Sequence, residues 1–214
     1  MKPAIAILAK APVPGLAKTR LMPALGAEGA AALAARLLEH AATQAVSAAL
    51  GPVTLWATPD LSHPIWARLQ QGQGLALAVQ PLGDLGQRMA HAFGQTSGPL
   101  LLIGTDLPAQ DAAVLRAAAA CLADHDAVFV PALDGGYGLV GLRQATPASL
   151  QALFSGMRWS TPLVMADTRQ RLAAAGLRHA ELPALADIDQ PADLIHLPAG
   201  WPVAPFNPVQ KDTP

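Results

Sequence analysis

The hydrophobic pattern alternates between two periods. Short apolar runs read as buried strands at residues 4–8, 53–58, 76–80, 100–104, 127–131 and 137–142, and a run at 177–182 closes the series. Between them lie longer stretches whose apolar positions recur at helical spacing. Residues 28–50 are the clearest case, with Ala, Leu and Val on one side and Arg36, Glu39 and Gln44 on the other. Residues 64–71, 84–93, 109–123 and 162–175 complete the helices, with Asp84 and Thr161 expected as N-caps and Pro162 at a first helical position. The run at 100–104 is the most apolar of the short ones and is expected at the centre of the sheet. Strands alternating with helices predict an α/β fold, a mostly parallel sheet covered by helices on both faces. No internal repeat and no linker divides the chain. One domain over residues 1–197 is expected, followed by a proline-rich tail at 198–214.

Composition narrows the classes. The chain has 214 residues, 52% of them hydrophobic, and 14 basic against 15 acidic side chains give a net charge of −1. That balance argues against broad nucleic-acid binding, which needs many phosphate-neutralising cations, but leaves room for one concentrated basic site. A single cysteine, Cys121, excludes an internal disulfide framework and a cysteine-built zinc site; its alanine-rich surroundings suit a buried helical thiol. The early apolar run ends at Lys10, too short for a signal-peptide core, and no later run reads as a membrane span, so a cytoplasmic protein is expected.

In an open parallel sheet, ligands bind beyond the carboxyl ends of the strands. The loops expected there hold the unusual residues. Lys10-Ala-Pro-Val-Pro-Gly15-Leu-Ala-Lys18-Thr-Arg20 gathers three cations beside a glycine and two stiffening prolines. It is neither a Walker loop nor a dinucleotide fingerprint, and it suits a polyphosphate or serves as a solvated basic loop. Asp106 follows the central strand and precedes Leu-Pro, so it is either a Mg²⁺ ligand or a helix cap. In Asp187-Ile-Asp189 alternation puts both carboxylates on one side, one able to complete a metal site while the other caps the helix opened by Pro191; Asp193 supports that helix electrostatically. Asp134-Gly135-Gly136 is a tight turn, or a place where the backbone approaches an acceptor that Asp134 or the following Tyr137 contacts. The scattered histidines make no paired metal motif, and no GxSxG elbow occurs.

The segments KAPVPGLAKTRL, PLGDLGQRM, LLIGTDLP, PALDGGYGLVGL, MRWST and DIDQPADL, in that order, resemble the bacterial glycosyltransferase-like family called radical-SAM/selenodomain-associated transferases. That family belongs to the nucleotide-diphospho-sugar transferase (GT-A) superfamily and is similar to 2-phospholactate guanylyltransferase and to molybdenum-cofactor nucleotidyltransferases. The resemblance implies a single-domain, Rossmann-like GT-A three-layer sandwich. It implies that Lys10, Gly15, Lys18 and Arg20 hold nucleotide phosphates, with Lys18, Arg20 and Asp106 serving catalysis. Asp106 and Asp189, with Asp187 as the substitute, would bind Mg²⁺ or Mn²⁺. Asp84, Gly86 and Arg88 would approach the base or ribose. Gln190 stands where threonine is more usual, and the first loop lacks the glycine-rich form of many sugar nucleotidyltransferases.

Three functions are carried forward. The first is nucleotidyl transfer from a nucleoside triphosphate to a small phosphorylated acceptor, with release of pyrophosphate. The second is glycosyl transfer from a nucleotide-sugar. The third is nucleotide binding without catalysis. The three-cation loop favours a triphosphate, and the lone Asp106 lacks the DxD spelling usual in metal-dependent glycosyltransferases.

Overall fold

The computed structural model of the chain describes residues 1–201. Its strands are β1 (Ala4–Lys10), β2 (Val53–Thr58), β3 (Ala76–Val79), β4 (Leu100–Ile103), β5 (Ala127–Pro131), β6 (Tyr137–Leu142) and β7 (His179–Glu181). They form one seven-stranded sheet in the order β3-β2-β1-β4-β6-β5-β7. All pairs are parallel except those of β6, which runs against both β4 and β5. The most apolar run, β4, is buried throughout and lies in the middle, as its composition requires.

Alternation along the strands builds two cores. Ile5, Ile7, Leu101, Ile103, Val128 and Val130 face α1 (Met22–Ser47), α2 (Pro64–Gln73) and α4 (Ala112–Cys121). Ala6, Leu100, Leu102, Phe129 and Val140 face α3 (Leu85–Gly94), α5 (Pro147–Phe154) and α6 (Val164–Ala174). Each face carries a fully buried aromatic, Trp66 on one and Phe93 on the other, and burying such a side chain is worth roughly 2–3 kcal/mol.

Several helix ends differ from the sequence pattern. Within α1 the backbone breaks at Gly26 (φ 69°, ψ 173°), so the regular stretch begins near the expected residue 28 while a first turn precedes it. By length and composition Thr19–Ser47 could cross a membrane, yet Leu38, Ala42 and Ala45 are buried against the sheet, as in a core helix. Helix α4 starts three residues later than expected, at Ala112, because Asp111 accepts a hydrogen bond from the Val114 N–H at 2.9 Å. Thr161 is not a cap: its hydroxyl donates to Arg158 O, and α6 begins at Val164 without a side-chain cap. Helix α5, opened by a reciprocal Thr146–Ser149 capping pair, was not expected. The expected tail falls outside the described residues from 202 onward.

The topology also places the site. From β1 the chain moves outward through β2 and β3, then returns to lay β4 on the other side of β1. That reversal is a topological switch point at the carboxyl ends of β1 and β4, the kind of place where α/β sheets bind ligands.

Candidate functional site

Three separate segments meet at this switch point. After β1, the loop reaches a short 3-10 turn at Thr19–Leu21. After β4 comes Asp106. From the far edge, the chain following β7 bridges back in parallel, Ala132 to Leu185, and delivers 187–189. Ile188 explains why that last segment stops here. It is fully buried in a cluster with Leu21, Leu25, Leu33 and Leu37, and its N–H donates to Asp106 O at 3.0 Å.

Lys18 is the meeting point. Its ammonium lies 2.6 Å from Asp106 Oδ1 and donates to Ile188 O, also at 2.6 Å. Asp189 Oδ1 is 4.0 Å away. The Lys18 side chain is 9% exposed, against 48% for Asp106 and 37% for Asp189. Lys18 takes the left-handed conformation (φ 47°, ψ 45°), which costs a residue with a Cβ about 1 kcal/mol and is held by these contacts. Arg20 pairs with Asp189 Oδ2, and the Thr105 hydroxyl donates to Asp106 Oδ1 at 3.3 Å. Asp106 caps no helix, because Asp111 does that work.

The other acidic residues divide by role. Asp193 accepts the N–H groups of Asp189 and Gln190 at 2.9 and 2.6 Å, closing a capping pair with Gln190 on the 3-10 helix Pro191–His196. Neither Asp187 nor Asp189 is the cap. Burial, then the neighbouring Asp134 carboxylate, push the Asp187 carboxyl above its usual range. Among the described residues, no three His, Cys, Asp or Glu side chains converge as a metal cluster. Asp106 and Asp189 nevertheless flank a single point, now held by the Lys18 ammonium, and both are open to water. Mg²⁺ takes one or two carboxylates and fills its remaining positions with phosphate oxygens and water, so this pair fits such an ion.

The remaining sequence-predicted residues spread along the same edge. Lys10 is exposed, and its ammonium donates to Leu16 O at 2.8 Å, closing the loop that turns at Gly15 (φ 78°). Asp84 caps α3 in a reciprocal pair with Gln87. Arg88 donates to Gly83 O at 3.0 Å and to Gln80 Oε1 at 3.3 Å. Gln80, which the sequence did not single out, is buried and donates to Ala9 O and Trp56 O, tying the carboxyl ends of β1 and β2 to the loop after β3. A Cβ at Gly86 would meet Phe154 O and the Trp159 ring, which gives that glycine a packing role. Gly135 (φ 92°) packs its Cα against Pro162 O and accepts the Met165 N–H at 2.8 Å. Asp134 accepts the Gly136 N–H at 2.8 Å. Tyr137 is partly buried, its ring edge turned to Phe129 against the core, and burial pushes its phenol well above the ordinary value. Of residues 134–137, Asp134 is the one left exposed.

The family profile described as "Uncharacterized protein conserved in bacteria (DUF2064)" matches residues 33–161. No curated protein matches the chain. The crystal structure of a candidate nucleotide-diphospho-sugar transferase from Desulfovibrio desulfuricans G20 is 28% identical, covers 91% of this chain and 85% of that one, and superposes at a TM-score of 0.79. A nucleotidyl transferase from Methanothermobacter thermautotroptrophicus is 16% identical, with 91% and 94% covered and a TM-score of 0.62. Glucosyl-3-phosphoglycerate synthase from Mycobacterium tuberculosis, solved with Mn²⁺, UDP and glucosyl-3-phosphoglycerate, is 11% identical, with 91% and 75% covered and a TM-score of 0.54. The last two show a shared fold. The architecture is the Rossmann-like nucleotide-diphospho-sugar transferase fold.

Proposed function

This chain belongs to the DUF2064 family, and from that premise we propose that it is a metal-dependent nucleotidyltransferase. Within that family we propose the radical-SAM/selenodomain-associated branch, on the motifs quoted above, with residues 1–197 as the transferase domain. In the reaction, an oxygen of a small phosphorylated acceptor attacks the α-phosphorus of a nucleoside triphosphate. The bond to the bridging oxygen breaks, and its electron pair leaves with pyrophosphate. Mg²⁺ or Mn²⁺ at Asp106 and Asp189, with Asp187 as the substitute ligand, would neutralise phosphate charge. Little covalent work falls to the protein, so positioning and charge dominate.

One observation carries this reading. Lys18 gathers the basic loop, the carboxylate after β4 and the Asp189 segment onto a single ammonium, 2.6 Å from Asp106 Oδ1. Basic side chains beside two carboxylates able to hold a divalent ion, all at one strand-end edge, are the polar groups that metal-assisted polyphosphate handling needs. Lys10, Gly15 and Arg20 extend it along the loop toward the β- and γ-phosphates. Asp84, Gly86 and Arg88 lie beyond β3, toward the nucleoside. Asp134, Gly135, Gly136 and Tyr137 would border the acceptor, with Asp134 the most exposed of them. The likeness to the Desulfovibrio protein, described by a nucleotide-sugar activity, supports a second reading as a glycosyltransferase on the same fold.

Calorimetry separates the two. A nucleotidyltransferase must recognise the pyrophosphate it expels. With Mg²⁺ present, pyrophosphate should bind and compete with a nucleoside triphosphate, and Lys18→Ala should weaken that competition at least tenfold. Absence of pyrophosphate binding, together with tight binding of a nucleotide-sugar, would replace nucleotidyl with glycosyl transfer.

A further inference from the structure

The three oxygens around Lys18 Nζ are an unusual set for a lysine. Asp106 Oδ1 and Ile188 O stand at 2.6 Å and Asp189 Oδ1 at 4.0 Å, a carboxylate, a carbonyl and a second carboxylate drawn from chain segments far apart in sequence. Hard cations choose such donors. The side chain is nearly enclosed, and its backbone is held in the left-handed region to put the ammonium there.

We propose that Lys18 is a resident counter-cation that keeps the metal position closed until a polyphosphate arrives. This rests on the proposed use of Asp106 and Asp189 as metal ligands. Two positive charges cannot share a point between the same carboxylates. In the free protein, therefore, the ammonium satisfies Asp106 and a divalent ion has to displace it. A polyphosphate entering along the Lys10–Arg20 loop offers Lys18 several anionic oxygens in place of one. Swinging to them, the ammonium releases Asp106. Arg20 follows the same logic at Asp189 Oδ2, its present partner. Metal and polyphosphate then bind with mutual reinforcement, because each removes an obstacle to the other. Metal alone stays out, which keeps the acidic pair from being occupied unproductively.

Titration of Mn²⁺ into the nucleotide-free, full-length protein, followed by the loss of the free-ion paramagnetic resonance signal, tests this. Lys18→Met and Lys18→Gln should each bind one Mn²⁺ at least tenfold more tightly than the wild type. Adding Asp106→Asn to either should abolish the gain. Far-ultraviolet circular dichroism identifies any variant that fails to fold, and having two substitutions keeps the test standing if one does. If wild type and both Lys18 variants bind Mn²⁺ equally, and Asp106→Asn removes binding from all, the site is a metal site and the lysine does not guard it. If no variant binds Mn²⁺, and inorganic tripolyphosphate binds no better with Mn²⁺ than without it, the metal-dependent function falls along with the guard.

Discussion

Replacing Lys18 and Asp106 singly and together gives the most direct measure of their contact. At 2.6 Å, the gross attraction is about 6 kcal/mol at an effective dielectric of 20. Desolvation of the enclosed ammonium cancels much of it. Exposed pairs contribute roughly 0.2–1 kcal/mol, whereas breaking a buried pair costs roughly 3–5 kcal/mol. This pair lies between, since Lys18 is 9% exposed and Asp106 48%. The inequality sets the order of the single effects. Asp106→Asn leaves a buried ammonium short of a counter-charge and should cost about 2–3 kcal/mol. Lys18→Met leaves a carboxylate that water can solvate, and should cost about 1 kcal/mol. The double variant should lose less than the sum, with a coupling of about 1–2 kcal/mol. Urea unfolding at neutral pH measures all four proteins. For a chain of 214 residues, the larger single loss should lower Tm by roughly 5–10 °C. A coupling below about 0.5 kcal/mol, or Lys18→Met costing more than Asp106→Asn, would refute the reasoning.

Two further predictions concern the scaffold. Gly135→Ala should destabilise by about 2–3 kcal/mol, since φ is 92° and a Cβ would meet Pro162 O, whereas Gly176→Ala, at φ 65° with open space around it, should lose about 1 kcal/mol. Denaturant midpoints compare them, and equal losses would deny the close packing of the Asp134–Gly136 turn on the segment before α6. Burial, outweighing a hydrogen bond to Pro108, holds the His40 imidazole below its usual value, and its Nε2 has no hydrogen-bond partner among the described residues. The folded state thus resists the proton more than the unfolded chain, so stability should fall as pH drops through and below the ordinary histidine range, and hold above it. His40→Gln should flatten that slope in urea unfolding between about pH 7.5 and 5.5. An unchanged slope would place the acid sensitivity elsewhere.

How much was legible varies by residue. The strand at Leu100–Ile103 could be placed at the sheet centre because a run buried on both faces has no polar alternation. The capping role of Asp84 was visible because an acid two residues before the buried Gly86 face starts a helix by local hydrogen bonding. Helix α5 was missed: it is only eight residues long and its small, apolar sequence has no strong helical stripe. The strand opening at Tyr137 was legible from its apolar run, but that its ring would pack edge-on against Phe129 was not.

The site divides the same way. Local pattern was enough to deliver Lys18, Arg20, Asp106 and Asp189 to one edge, because the carboxyl ends of parallel strands share that edge whatever their order. Which of them meet was beyond it. Lys18 and Ile188 lie 170 positions apart, and their contact depends on β4 settling against β1 and on Ile188 entering a hydrophobic cluster under the first loop. The carbonyl that receives the ammonium belongs to the main chain, so no side-chain type announces it. Asp106 could cap or bind until the three-residue delay in α4 gave capping to Asp111. Periodicity is information about neighbours in sequence, and it determined the elements and the edge of the sheet where chemistry would stand. Packing joins residues remote in sequence, and only that step decided which charges face one another.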